Sequence, residues 1–334
     1  MNTATDAPLY PLRFEPIFEY RLWGGRSLAD WVSCTLPGDG PVGEAWLLSD
    51  RADHPSCVAD GPLKGRTIAQ LMARAPTAML GNLASRFDRF PLLLKFLDVQ
   101  KMLSVQVHPR DDQSALIPAG DTGKTEAWVV LAASADARIY AGLKSGTTAA
   151  DLRALTAQTA DEHLASFMPH RGQSVLIEAG TVHSVGDGLL LFEVQENSDV
   201  TFRLYDWDHI DETTGKTRPL QQEQALACVD FARGAVHPVL PTVESTQPTL
   251  RENLLQCEHF IVWRLSGTAL FAVGADNTPR VLVCIEGSGH VEHDGADAAM
   301  KKGTVVLLPA ALGVCRFRPD GCVVLLELGV PVPS

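Results

Sequence analysis

The chain has 334 residues, enough for one large or two medium domains with a sizeable core. Hydrophobic content of 46% and charged content of 20% are ordinary for a soluble globular protein, and a net charge of −12 argues against nucleic acid as the main partner, because phosphate backbones demand a broad basic surface. A small phosphorylated ligand stays open, since a metal and two or three basic groups can make one pocket positive on an acidic protein.

The opening run MNTATDAPLYPLRFEP lacks the basic start and apolar stretch of a secretory signal. No run reaches the roughly 18 apolar residues of a membrane span. The seven cysteines (Cys34, Cys57, Cys228, Cys257, Cys284, Cys315, Cys322) are scattered without a C-x-x-C pair. That argues against a disulfide framework or zinc ribbon and for a reducing cytoplasm.

In chain order, residues 10–60 read as short strands with Gly/Pro-rich turns. They carry two clusters, Tyr20-Arg21-Leu22-Trp23-Gly24-Gly25 and Gly43-Glu44-Ala45-Trp46. Residues 65–80 have helical spacing, with Ile68, Leu71 and Met72 on one face. Pro91 to Leu97 reads as a strand with Lys95 inside an apolar run, where a lysine ordinarily extends its stem to reach the surface. In Leu103-Ser104-Val105-Gln106-Val107-His108-Pro109, alternation puts Ser104, Gln106 and His108 on one face and the valines on the other.

After a polar loop comes Gly123-Lys124-Thr125-Glu126-Ala127-Trp128, a strand with Lys124 and Glu126 on one face. Residues 147–168 read as a helix with Thr147 or Thr148 as N-cap and Asp151 in its first turn. Gly172 to Thr181 reads as a strand and tight turn leading to His183. Residues 188–205 read as a strand pair carrying Glu193, Gln195 and Asn197 on one face, then Arg203. Residues 219–233 read as a helix, and about 237–250 as a linker.

Regular short strands with turn signals predict a mainly β chain. The expected architecture is two jelly-roll barrels with a few peripheral helices. A faint repeat aligns Gly172–Ala179 with Gly303–Ala310. Eleven residues after the glycines stand His183 and Val314, so the second barrel is expected to lack that ligand. The expected division is residues 1–240 as a metal-binding catalytic domain with helical elements, and 250–334 as a second barrel without metal ligands.

Gln106, His108, Glu126 and His183 form a candidate four-ligand metal set. An i, i+2 pair on one strand aims two side chains inward, and zinc accepts imidazole nitrogen and carboxylate oxygen. Such an ion is a Lewis acid for carbonyl and hydroxyl oxygens. Two surface or core histidines and an ordinary strand glutamate are the bland alternative. No G-x-S-x-G, Walker loop or dinucleotide fingerprint is present between a strand and a helix.

Taken in order, Y-R-L-W-G-G at 20, G-E-A-W at 43, P-L-L-L-K at 91, L-S-V-Q-V-H-P at 103, G-K-T-E-A-W at 123, A-G-T-V-H at 179, Glu193 to Asn197 and R-L-Y-D at 203 resemble the type I mannose-6-phosphate isomerase (phosphomannose isomerase) family. The likeness is to the short bacterial form of this cupin group and covers about 200 residues. It implies two cupin barrels and one zinc per chain on Gln106, His108, Glu126 and His183. The implied activity is interconversion of mannose 6-phosphate and fructose 6-phosphate through a cis-enediol. Arg203, Lys124 and Glu193 would then take direct catalytic roles, and Ser104 and Lys95 would hold the phosphate. For Glu193 the alternative is orienting a ligand; for Arg203 it is a salt bridge to Asp206 or Asp208. A non-catalytic sugar-phosphate-binding cupin and another metal-dependent cupin enzyme are the competing functional readings. The expected partner is a small sugar phosphate, with no nucleic acid or membrane. Oligomeric state is left open, a monomer included.

Overall fold

Strand Leu189–Glu196 is buried along its whole length because both of its faces are covered. Leu190, Phe192 and Val194 join one apolar core, and Leu191, one step out of phase, joins another with Trp128 and Ile177. The period of two that separates them also sends Glu193 and Gln195 to the side of Leu191. Strands covered on both faces read as unbroken apolar runs, which is why Leu92–Val99 shows Leu-Leu-Leu around a lysine.

The computed structural model describes residues 8–332 apart from 33, 213, 295 and 296. Leu189–Glu196 lies near the middle of a six-stranded antiparallel sheet whose order is Ile17–Glu19, Glu44–Leu48, Leu92–Val99, Leu189–Glu196, Glu126–Ala133, Ser174–Ile177. Facing it is a five-stranded sheet ordered Phe202–Tyr205, Val105–Val107, His183–Gly186, Arg138–Leu143, Leu164–Phe167. The C-terminal part repeats the plan. Its six-stranded sheet runs Thr242–Ser245, Leu250–Gln256, Ile261–Gly267, Val323–Gly329, Arg280–Glu286, Val305–Leu308. Its four-stranded sheet runs Phe271–Gly274, Val314–Pro319, Ser288–Glu292, Ala298–Lys301. The chain is thus mainly β, with two cupin-type barrels.

The correspondence reaches single residues. Glu193 and Glu327 are each the fifth residue of matching strands, and both are buried. His183 and Val314 each open a matching strand. The outer faces of the two large sheets share one core. Phe96, Phe192 and Val194 belong to it from the first barrel, and Phe260, Val262 and Leu326 from the second. Each such side chain contributes roughly 1.5–3 kcal/mol of hydrophobic stabilisation.

Helices are few and short. Ile68–Arg74 opens with a capping box at Thr67 and Gln70, and buries Ile68, Leu71 and Met72 as the spacing predicts. The helix expected over 147–168 is instead two short helices, Ala149–Arg153 and Ala160–His163, followed by strand Leu164–Phe167. Thr148 is the N-cap, in a box with Asp151. Pairing with Arg138–Leu143 draws the last apolar residues into the sheet, a long-range contact that outweighs helical spacing. The expected helix over 219–233 narrows to Gln222–Cys228. The expected linker at 237–250 holds edge strand Thr242–Ser245, whose residues are mostly exposed and so carry no apolar pattern. Among the described residues no helix is long and apolar enough to cross a membrane.

Candidate active site

Strand pairing gathers the expected ligands. Gln106 sits opposite His183 in the smaller sheet, and Glu126 is opposite Gln195 in the larger one. Gly180, at φ +87°, makes the turn that precedes His183, a conformation that favours glycine, and its N–H donates to the His108 carbonyl at 2.8 Å. One ligand atom each from His108, Glu126 and His183 lies within 4.8 Å of the others, and all three residues are buried.

The hydrogen bonds around these side chains decide which atoms face the centre. His108 Nδ1–H donates to the Val200 carbonyl at 2.7 Å and His183 Nδ1–H to the Thr181 carbonyl at 2.9 Å. Each ring therefore presents its Nε2 lone pair, the arrangement that fixes metal-binding histidines. His183 Nε2 stands 3.2 Å from Glu126 Oε1, a buried oxygen without a hydrogen-bond partner. Two acceptors in contact call for a cation. Burial, then the Lys124 charge, pushes the His108 pKa down to about 3, so this ring is neutral and able to ligate. Burial opposes the Glu126 charge, but the Lys124 ammonium outweighs it and holds the carboxyl well below its usual range.

Gln106 presents Nε2 to His183 Nε2 at 3.2 Å, while its Oε1 accepts from Ser104 Oγ at 3.1 Å. A half-turn of the amide offers oxygen to the centre instead. The donor set of two imidazoles, one carboxylate and one amide fits a divalent metal.

Beside the centre opens a cavity of about 450 Å³, whose lining includes Lys95, Lys124, Glu193, Arg203, Ser104 and Gln106. Lys124 Nζ donates to Glu126 Oε2 at 2.7 Å and lies 3.3 Å from His108 Nε2. Lys95 does not reach for the surface. It is 3% exposed, 3.2 Å from Glu193 Oε1 and 3.9 Å from Glu44 Oε2, with its ammonium over the Trp46 ring. Burial works against its charge, yet Glu44 and Glu193 more than compensate and raise its pKa. Burial raises the Glu193 carboxyl against the pull of Lys95, and Trp128 Nε1–H donates to its Oε2 at 3.0 Å.

Arg203 makes neither of the salt bridges weighed for it. Asp206 is held bidentately by Arg218, and Asp208 accepts from the Tyr205 hydroxyl at 2.9 Å. Arg203 Nε is buried without a hydrogen-bond partner. Ser104 is buried at 2% exposure, lines the cavity and supports Gln106.

Residues 12–127 match the family model for the phosphomannose isomerase type I catalytic domain. The chain is 35% identical over 319 residues to mannose-6-phosphate isomerase ManA of Bacillus subtilis (strain 168), covering 93% of this chain and 96% of the relative. The chain belongs to the type I phosphomannose isomerase family. A mannose-6-phosphate isomerase of Streptococcus mutans is 31% identical over 315 residues, with 93% and 96% covered. The crystal structure of the mannose 6-phosphate isomerase from Bacillus subtilis superposes with a TM-score of 0.86 at 28% identity, covering 96% of this chain and 99% of that one. A phosphomannose isomerase from Salmonella typhimurium shares the fold, with a TM-score of 0.78 at 15% identity over 97% and 100%.

Arg21 and Glu44, which stand in two of the motifs without an assigned role, also line the cavity, as do Asp199 and Arg218, which stand in none. Arg21 grips Glu44 through Nε and Nη2 at 2.9 and 3.1 Å, and Trp46 Nε1–H donates to the same carboxylate at 2.7 Å. Burial opposes the Glu44 charge, but Lys95 and Arg21 take its pKa down to about 2. The two N-terminal clusters signalled this pair. Nothing local in the sequence marks Asp199 or Arg218.

Proposed function

We propose that the chain is a zinc-dependent aldose–ketose isomerase that interconverts mannose 6-phosphate and fructose 6-phosphate through a cis-enediol. The observation that carries this is the pair of Nε2 lone pairs and the partnerless Glu126 Oε1 converging beside a cavity lined by Lys95, Lys124 and Arg203. Family membership supports the same reading, since ManA is a mannose-6-phosphate isomerase.

Gln106, His108, Glu126 and His183 hold the metal in this proposal, one per chain. The bound ion supplies Lewis acidity toward the sugar's oxygens. The chain's own residues do the rest. Arg203, always protonated and with a buried Nε left unbonded, supplies positive charge where negative charge develops on the sugar oxygens. Of the titratable groups on the cavity wall, Lys124 and Glu193 are assigned the proton transfer between C2 and C1 in this proposal. Glu193 is suited to this because burial raises its carboxyl pKa. Lys95 and Ser104 hold the phosphate, Lys95 because its charge is fixed by buried carboxylates.

Residues 1–240 form the catalytic unit in this reading, and 250–334 a second barrel that supplies no ligand to the proposed zinc centre. A cytoplasmic location is supported by seven free cysteines, two of them exposed. The test is a coupled assay for fructose 6-phosphate formed from mannose 6-phosphate, before chelation, after it and after zinc is restored. Turnover lost on chelation and regained with zinc is expected. A zinc-loaded protein without turnover would sink the proposal.

A further inference from the structure

Thr125 stands between Lys124 and Glu126, and its polar groups are taken up by residues outside its own strand segment. Its N–H donates to Glu196 Oε1 at 2.7 Å, and its carbonyl accepts from the Glu196 N–H at 3.2 Å. Its Oγ1 accepts from the Ala179 N–H at 3.3 Å, at the start of the turn that leads to His183. The next residue in that turn, Gly180, donates to the carbonyl of His108, and the Lys124 N–H donates to Pro109 at 3.0 Å. The segments that carry His108, Glu126 and His183 thus meet around one threonine, and one carboxylate clamps its backbone.

That carboxylate is itself held by the other barrel. Glu196 Oε2 lies 3.2 Å from Nδ1 of His259, in the connection between strands Leu250–Gln256 and Ile261–Gly267. The far nitrogen of the ring, Nε2, faces Glu258 Oε1 at 3.3 Å. Glu196 is 8% exposed, so its hydrogen bonds to Thr125 compete with little water.

We infer that Glu196, held by His259, is a positioning residue that fixes Lys124 and Glu126 against the turn bearing His183, so that the C-terminal barrel tunes the metal centre of the first. This rests on the ligand assignment proposed above. Polar groups that orient metal ligands typically change metal affinity or activity by 10–100-fold when removed. Glu196→Gln keeps an oxygen for the Thr125 N–H, whereas Glu196→Ala leaves that buried donor unmet.

The test is zinc affinity of the metal-free chain, by competition with a chromophoric chelator, alongside kcat, KM and thermal midpoint. Glu196→Ala is expected to weaken zinc binding 10–100-fold and lower kcat at little-changed KM. Glu196→Gln should stay within about threefold of the parent, and His259→Gln should fall between the two. His183→Ala serves as the control that loses the site. Parental zinc affinity in folded Glu196→Ala, with the site lost in His183→Ala, would overturn the positioning role alone. Glu196→Gln falling as far as Glu196→Ala would do the same. Parental affinity in His183→Ala would overturn the ligand assignment and this inference together. Should Glu196→Ala not fold, His259→Gln decides, and an affinity and kcat equal to the parent's overturn the inference.

Discussion

Lys95 Nζ lies 3.2 Å from Glu193 Oε1, and both side chains are largely buried on neighbouring strands in direct register. Removing one partner of such a pair leaves the other charge buried alone, at about 3–5 kcal/mol. Lys95→Met is therefore expected to lower the unfolding free energy by roughly that amount, read from denaturant titration. Lys95→Met/Glu193→Gln should recover most of the stability but not turnover. A double variant as unstable as the single would show that the pair is not the source of the loss.

Arg203 is expected to act through charge and geometry rather than by holding the fold, because its Nε is not engaged. Arg203→Lys keeps the charge but loses the planar fork, and kcat should fall by about 10²–10³ with metal content unchanged. Metal analysis and steady-state kinetics check this together. An unaltered kcat would remove Arg203 from the chemistry.

On the proposed assignment zinc would bind the folded chain in preference to the unfolded one, so it should raise the thermal midpoint of the metal-free protein with rising concentration. His183→Ala should abolish the increment, because Nε2 of His183 and Oε1 of Glu126 define the centre. A midpoint that climbs equally in the variant would place the metal elsewhere.

Glu196 gives a pH dependence of definite sign. Burial, reinforced by Asp111 and Glu258 against the Thr125 N–H, pushes its carboxyl up to about 7. Unfolded, the group titrates near 4.3. Its contribution is fully present below the unfolded value and is lost as pH rises through about 7. Glu196→Gln cannot ionise. Its thermal midpoint should gain on the parent from about pH 5 upward, levelling off above about pH 8, and the two should differ least near pH 4. A constant gap across that range would show that the Glu196 carboxyl titrates alike in the folded and unfolded states.

Much of this was legible in the sequence where a pattern is local. Alternation placed Gln106 and His108 on one face, and the 3.6-residue period found Ile68, Leu71 and Met72. Chemistry that depends on who sits across a sheet was not legible. Lys95 looks like a lysine bound for the surface until Leu189–Glu196 brings Glu193 opposite it. Arg203 looks like a partner for Asp206 until Arg218, 15 residues on, takes that carboxylate. Leu164–Phe167 fits helical spacing and is decided by a strand some 25 residues earlier. The likeness of the two barrels showed faintly as two glycine-led strands, whereas the matched glutamates emerge only from the strand order.

The central place of Leu189–Glu196 also bears on how the molecule is made. Its neighbours Leu92–Val99 and Glu126–Ala133 both precede it by more than fifty residues, and each is strongly apolar. During synthesis these two strands wait with bare edges until the segment bearing Glu193 emerges to zip them together. Long waits of this kind slow folding and invite association between nascent chains. A fragment ending ahead of residue 189 would carry every proposed zinc ligand yet leave them on an open, sticky sheet, so the same insertion that completes the cavity wall also protects the growing chain from aggregation.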